Sequence, residues 1–315
     1  MLSLTLALLL STPGQHSVSV TLFYDENGDG ILEAGERARL PDVVVEMAGQ
    51  SLATSVGNGR VVFEGLAPGS YTLLVRGDTL PPFYSAPATL SVEVPHDGEV
   101  LVPVILRIGA NRPNTYLAFG DSLTEGEGSS DGQGFRRRLE SRLRLYFRSA
   151  SVATDGVSGA SSDRGVRRIN RSLARFHPAY TLVLMGTNDF DEDRDEESQV
   201  RSTLLSLQTI LERVRSVGSI PVLATIPPTN VGFDSRATPA RNRWVSRLDE
   251  RLSSLASAQG ALLADPYGEF LSQGELRSLF VDHVHPNDRG YEIIAESFFR
   301  AITKRSEAAG GRDSH

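Results

Sequence analysis

Two rhythms of apolar and polar residues divide the chain. From Val18 to about Arg107, apolar positions alternate with polar ones in short runs, Val18-x-Val20-x-Leu22-Phe23, Val43 to Val45, Val61 to Phe63, Tyr71 to Val75, Leu90-x-Val92-x-Val94 and Val100 to Leu106, with Gly and Pro between them. A period of two is that of strands with one buried face, and several short strands at this spacing predict a small β-sandwich. Residues 108–114 have no periodicity, contain Gly109 and Pro113, and read as a linker. Beyond them, apolar runs at 115–119, 150–154, 180–185, 220–225 and 261–264 alternate with helix-spaced segments at about 134–148, 162–176, 197–217, 238–258 and 288–303. Val200, Leu204, Leu207, Leu211 and Val214 share one helix face, as do Phe135, Leu139, Leu143 and Tyr146. Strand–helix alternation with right-handed crossovers predicts a flavodoxin-like three-layer α/β/α sandwich around a parallel sheet. The expected organisation is a β-sandwich module at 18–107, a linker at 108–114, an α/β domain at 115–304 and a disordered tail at 305–315.

Composition narrows the possibilities. The length of 315 residues suits two domains, and a net charge of -7 argues against a polyanion-binding surface, so no nucleic-acid partner is expected. No cysteine occurs, which excludes a disulfide framework, a thiolate metal site and a cysteine nucleophile. Met1 to Leu10 is an apolar run too short to span a bilayer as a helix. Residues 1–17 are therefore expected to be a secretion signal rather than a transmembrane segment, although no basic residue precedes the run; a first β-strand is the other reading.

Candidate chemistry is concentrated in the second stretch. Phe119-Gly120-Asp121-Ser122-Leu123-Thr124 places a serine directly after the apolar run that begins at Tyr116, at what reads as a strand's carboxyl end. Ligands of open α/β sheets bind at that edge, where a turn can present a hydroxyl and a backbone N–H together. A serine hydroxyl needs a base within hydrogen-bond reach. Of the six histidines, His16, His96, His177, His283, His285 and His315, the favoured base is His285. Asp282 lies three residues before it, near enough to accept from Nδ1 and hold Nε2 toward the serine. His283 cannot use Asp282 in that register and is expected to be structural, substrate-contacting or simply solvated. Pro286, ahead of a helix starting near Asn287, fixes the adjoining loop. Two further blocks, Ser158-Gly159 and Gly186-Thr187-Asn188-Asp189, also fall at or near loops.

In this order the four blocks resemble the SGNH hydrolases, also called the GDSL esterase/lipase superfamily, over roughly residues 114–304. Asp282, His285 and Pro286 match the family's Asp-x-x-His-Pro signature. The resemblance implies a Ser122 nucleophile served by His285 and Asp282. It also implies an oxyanion hole made of the Ser122 and Gly159 backbone N–H groups and the Asn188 side-chain amide. Glycine allows close backbone approach, and asparagine offers neutral donors. Gly156 competes for the second position, and the family's Ser-Gly pair favours Gly159. Many members carry Asn where this chain has Asp155, which removes a donor near the site. The expected activity is ester hydrolysis through an acyl-enzyme, with no cofactor. The module and the expected export point to short acyl groups, such as acetyl, on carbohydrate. Lipase, lysophospholipase or thioesterase activity are the alternatives within the superfamily, and a non-catalytic surface or carbohydrate-binding protein is the alternative of another class.

Within the first stretch, Asp25, Asn27, Asp29, the Ile31 carbonyl and Glu36 supply oxygens at the positions of a calcium loop, with Gly30 at the sharp turn. The flanks are not helical. The loop resembles that of the SdrD B-like repeats of bacterial surface proteins, and Gly65-Leu-Ala-Pro68-Gly69-Ser-Tyr71 matches a turn of those and the related prealbumin-like modules. The resemblance implies a possible structural calcium ion; the same residue types also close metal-free turns through side-chain-to-backbone hydrogen bonds. Two charge runs complete the reading: acidic residues from Asp189 to Glu197 leading into a helix, and arginines 136, 137, 138, 142, 144 and 148, expected on a solvated helix face.

Overall fold

The computed structural model describes residues 16–36, 39–54 and 58–304. Residues 1–15 of the expected signal and the whole expected tail at 305–315 lie outside the described residues. The chain forms two compact units, one drawn from residues up to Leu80 and from Tyr84–Ile105, the other from Pro81–Phe83 and from Leu106 onward.

The first unit contains β1 (His16–Tyr24), β2 (Val44–Met47), β3 (Gln50–Ala53), β4 (Arg60–Leu66), β5 (Gly69–Val75), β6 (Tyr84–Ser85), β7 (Thr89–Val94) and β8 (Glu99–Leu106). They make two four-stranded sheets, β4-β1-β8-β6 and β3-β2-β5-β7. Alternation drives this arrangement: Val18, Val20 and Leu22 of one sheet and Val45, Leu73, Val92 and Val94 of the other are buried, with Glu93 between the last two exposed, while Thr21 of β1 is itself buried. Strand β1 begins at His16, inside the stretch expected as signal. Strands β3 and β6 went unread because four polar-rich residues and two residues carry no periodicity.

The second unit opens with β9 (Arg112–Gly120), which starts inside the expected linker because Pro113 and Asn114, the latter at φ 55°, break the alternation that marks a strand. There follow α1 (Ser122–Glu125), α2 (Phe135–Phe147), β10 (Ser151–Gly156), α3 (Ser162–Phe176), β11 (Pro178–Leu184), α4 (Glu196–Ser216) and β12 (Ile220–Ala224). The unit closes with α5 (Pro239–Ala258), β13 (Leu262–Ala264), α6 (Pro266–Ser272) and α7 (Asp288–Thr303). Helices α1 and α6 are the ones the periodicity missed, since four and seven residues span too few turns to show one.

Its sheet runs β10-β9-β11-β12-β13, all parallel, the order of a flavodoxin-like fold. The strand order reverses between β9 and β11. Gly120 is level with Gly156 of β10 and Leu184 of β11, so the loops after these three strands leave the sheet at one edge. On one face, Leu117, Phe119 and Val183 pack under Ile169 of α3, Leu207 and Ile210 of α4 and Trp244 of α5. On the other, Phe135 of α2 stacks on Phe298 of α7 with centroids 5.1 Å apart. Phe147, not Tyr146, completes the buried stripe of α2. Trp244 is fully buried. Trp244→Ala is expected to cost about 3–5 kcal/mol of stability, read as a lowered urea midpoint at unchanged slope.

The arginine-rich helix departs from expectation. Arg138 reaches Asp288 at 2.7 Å and Glu292 at 3.5 Å, while Arg142 bonds Glu292 and lies 3.1 Å from Glu296. These two arginines tie α2 to α7 instead of facing solvent freely. No helix among the described residues is long and apolar enough to cross a membrane.

Candidate active site

Gly120 ends β9 where a side chain would run into Thr124 and the Leu184 carbonyl. Asp121, fully buried, then caps α1 by accepting the Leu123 N–H at 3.0 Å. Burial pushes its carboxyl up to about 7, against the lowering pull of that N–H. The next residue is Ser122, whose hydroxyl is 3.0 Å from Nε2 of His285. His285 Nδ1 is in turn 2.7 Å from Asp282 Oδ2. The other carboxylate oxygen, Oδ1, accepts the backbone N–H groups of Val284 at 2.8 Å and His285 at 2.7 Å. Asp282 therefore fixes both the fold of its own loop and the ring of the histidine within it.

Burial alone would raise the Asp282 carboxyl. The hydrogen bonds from the His285 backbone and ring and from the Val284 N–H outweigh it and hold the group down at about 2. A depressed carboxylate contributes stability that is present above its unfolded value, near 4, and lost as pH falls through the folded one. Asp282→Asn is therefore expected to flatten the part of the acid-unfolding curve between about pH 4 and pH 2, as followed by circular dichroism.

The loop is braced from outside. The Val281 N–H donates to the His285 carbonyl at 3.0 Å, and the Asn230 N–H donates to the His283 carbonyl at 2.9 Å. Asn287 caps α7 by accepting from Arg289 and Gly290. His283, expected as structural, substrate-contacting or solvated, is only 7% exposed, which removes the solvated reading. Burial, with the Arg236 guanidinium nearby, lowers its basicity.

The remaining blocks lie at the same sheet edge. The Ser158 N–H donates to Glu125 Oε2 at 2.9 Å, which joins this turn to the helix that begins with Ser122. Gly159 takes φ 67° with open space around it, whereas a side chain on Gly156 would strike the Glu125 backbone. Of the two glycines, Gly156 is the packing residue and Gly159 the one in a free left-handed turn. Asn188 Nδ2 donates to the Ala160 carbonyl at 3.2 Å, so the second and third blocks meet. Asp189 secures that meeting by accepting the Ser162 N–H and the Thr203 hydroxyl, each at 2.8 Å. Burial raises its carboxyl.

Asp155, the departure from the family pattern, has its charge answered locally. Arg168 lies 2.8 Å from it, covers the Phe119 ring at 4.1 Å and bonds the Gly120 carbonyl, and the Ser172 hydroxyl bonds Asp155 as well. Sequence reasoning also missed Glu127, whose Oε2 is 3.1 Å from His285 Nε2, and Glu125 and Asn230 as braces. Only their positions within or beside the motif could have hinted at these roles.

A Ser–His–Asp hydrogen-bond chain at the switch point of a parallel sheet, with backbone and amide donors on neighbouring loops, is chemically suited to transferring an acyl group. The family model of the GDSL-like lipase/acylhydrolases matches residues 118–293, more than half of the chain. The chain belongs to the GDSL-like lipase/acylhydrolase family. This GDSL hydrolase is 25% identical over 211 residues to the spore germination lipase LipC of Bacillus licheniformis, a match covering 61% of this chain and 98% of that protein. It is 29% identical over 130 residues to thioesterase 1/protease 1/lysophospholipase L1 of Escherichia coli, covering 41% of this chain and 59% of that one. In fold it is similar to a lipase/acylhydrolase from Enterococcus faecalis, with TM-score 0.52 and 20% identity over 60% of this chain and 95% of that one. The acetylxylan esterase Axe2 from Geobacillus stearothermophilus gives TM-score 0.52 and 19% identity over 64% of this chain and all of that one, 100%. The GDSL hydrolase is accordingly an ester hydrolase in class.

In the first unit, the two carboxylate oxygens of Asp25 accept the N–H groups of Gly28 at 2.6 Å and Gly30 at 2.9 Å. Those of Glu36 accept Glu26 at 2.8 Å and Glu33 at 3.1 Å. Asn27 Nδ2 donates to Asp29 at 3.0 Å, and Asp29 Oδ1 accepts the Ile31 N–H at 2.7 Å. The five expected calcium ligands thus share one loop that side-chain-to-backbone bonds already close.

Proposed function

We propose that this GDSL hydrolase removes short acyl groups, acetyl foremost, from carbohydrate through an acyl-enzyme. The unbroken chain from Asp282 through His285 to Ser122, with links of 2.7 and 3.0 Å, carries the proposal. Ser122 Oγ attacks the ester carbonyl while Nε2 of His285 takes its proton. The oxyanion is held by the Ser122 and Gly159 N–H groups and by Asn188 Nδ2. As the tetrahedral intermediate collapses, the C–O bond to the alcohol breaks and the alcohol oxygen takes the proton from Nε2. Water then attacks the acyl-enzyme, giving its proton to Nε2, and Ser122 leaves with that proton restored. Asn188→Ala is expected to lower kcat about 10²–10³-fold with KM little changed, because the amide acts on charge that develops only in the transition state. Steady-state kinetics on p-nitrophenyl acetate measures the split.

A polar cleft supports the carbohydrate part of the reading. About 700 Å³ in volume, it adjoins Asn188 and is lined by Ser162, Asp189, Asp191, Glu192, Arg194 and Arg241 among others. Its hydrogen-bonding side chains, with the Phe190 ring among them, suit a sugar. Comparing p-nitrophenyl acetate, butyrate and octanoate with acetylated xylan tests the reading. Acetate release should be fastest, and octanoate release fastest of all would transfer the protein to the lipase or thioesterase side. Polymer binding without Ser122-dependent turnover would make the chain an adhesive protein.

The apolar run at the start of the sequence supports export, so the substrate lies outside the cytoplasm in this proposal. Calcium belongs to it as well: Asp25, Asn27, Asp29, the Ile31 carbonyl and Glu36 would hold the ion, in a single loop turned by Gly28 and Gly30 at φ 78° and 77°. Millimolar calcium should raise the melting temperature of wild type and leave Asp25→Ala unmoved. An equal response in both would remove calcium from the loop.

A further inference from the structure

Nε2 of His285 faces two oxygens. One is Ser122 Oγ at 3.0 Å, and the other is Glu127 Oε2 at 3.1 Å. The mechanism above uses the first and gives the second nothing to do. The Glu127 side chain is 40% exposed against 17% for His285, so its carboxylate stands at the open side of a mostly covered imidazole. Among the described residues no arginine or lysine pairs with it.

This placement is built into the fold. The Glu127 N–H donates to the Ser122 carbonyl at 3.1 Å, and its own carbonyl accepts the Tyr291 hydroxyl at 2.6 Å. The flanking glycines take φ 102° at Gly126 and 90° at Gly128. A side chain on Gly128 would come within 2.6 Å of the Pro286 carbonyl, and one on Gly126 within 2.7 Å of the Gly134 nitrogen. The segment that carries Glu127 is thus pressed against the histidine loop, and the carboxylate is aimed by its backbone.

The leaving alcohol must collect its proton from Nε2, so its oxygen comes within about 3 Å of that nitrogen during turnover. An oxygen there lies beside the Glu127 carboxylate, and groups on the adjacent carbon fall within its hydrogen-bonding reach. A hydroxyl on that carbon donates to the carboxylate, whereas a negative charge is repelled. We propose that Glu127 reads the alcohol half of the ester: it accepts a hydrogen bond from the hydroxyl next to the acylated oxygen and so selects neutral polyols, such as a sugar ring, over anionic alcohols. The inference rests on the ester-hydrolase reading and deepens it on the alcohol side.

Three acetates that differ at one position test it: cyclohexyl acetate, trans-2-hydroxycyclohexyl acetate and the acetate of trans-2-hydroxycyclohexanecarboxylate. Wild type should prefer the hydroxy ester and discriminate against the carboxylate ester. Glu127→Gln keeps the shape and removes the charge, so kcat/KM on the carboxylate ester should rise about tenfold relative to cyclohexyl acetate. Glu127→Ala should lose the advantage of the hydroxy ester, about fivefold and mainly in KM. Each ratio is taken within one preparation, so partial misfolding cancels. No relative gain on the carboxylate ester in Glu127→Gln overturns the role of Glu127 while leaving the ester-hydrolase reading intact. Wild type without Ser122-dependent turnover of these esters and of p-nitrophenyl acetate overturns both.

Discussion

Ser122→Ala should lower kcat on p-nitrophenyl acetate by about 10⁴–10⁶-fold, the range expected when the nucleophile of a triad is removed. The loss is this large because, among the described residues, the proton-accepting nitrogen of His285 meets one hydroxyl, Ser122 Oγ at 3.0 Å, and beside it a carboxylate. Any residual rate would come from the oxyanion donors acting on water. Stability should change little, since alanine fits the first turn of α1 and the cap supplied by Asp121 to Leu123 is untouched. Paired kinetic and thermal-melt measurements check both halves. A loss below about 100-fold would take the nucleophile's role from Ser122.

Asp282→Asn is the second large effect, about 10⁴-fold in kcat with KM nearly unchanged. The carboxylate accepts three N–H groups: the His285 ring at 2.7 Å, the His285 backbone at 2.7 Å and the Val284 backbone at 2.8 Å. Asparagine has one carbonyl oxygen and one NH₂ group. If its oxygen keeps the two backbone donors and with them the loop, its NH₂ faces Nδ1, which must then accept. The proton of the neutral ring moves to Nε2, and Nε2 can no longer take one from Ser122. The lesion is a wrong tautomer in an intact frame, so it should show in kcat rather than in substrate affinity. A variant that kept more than a hundredth of wild-type kcat would show that the ring is oriented by other means.

Much of this frame was legible in the sequence. Helix α3 runs from Ser162 to Phe176, as its periodicity predicts, because fifteen residues with one buried stripe leave little ambiguity. Three of the four motif blocks were legible because they follow apolar runs, whose ends the parallel register brings level at Gly120, Gly156 and Leu184, and the fourth because Asp282 and His285 stand three apart just before a helix. What stayed hidden depends on partners distant in the chain. Nothing near Arg138 announces Asp288, nothing near Asp155 announces Arg168, and the approach of Glu127 to His285 follows from how a glycine-flanked turn is pressed against a loop far along the chain. Local pattern specifies elements, whereas side chains that cross between elements appear only once these have packed.

The link between Ser122 and His285 joins residues 163 positions apart. A nascent chain that has already released its nucleophile, its glycine turn and its asparagine still lacks a base until the loop before α7 emerges. The catalyst is therefore switched on only once the loop before α7 has been made and has folded against the sheet edge. During refolding, recovery of turnover should lag helix formation, which makes an esterase assay a clock for completed tertiary assembly. For the same reason a single protease cut anywhere between the two residues, followed by separation of the fragments, leaves neither piece active.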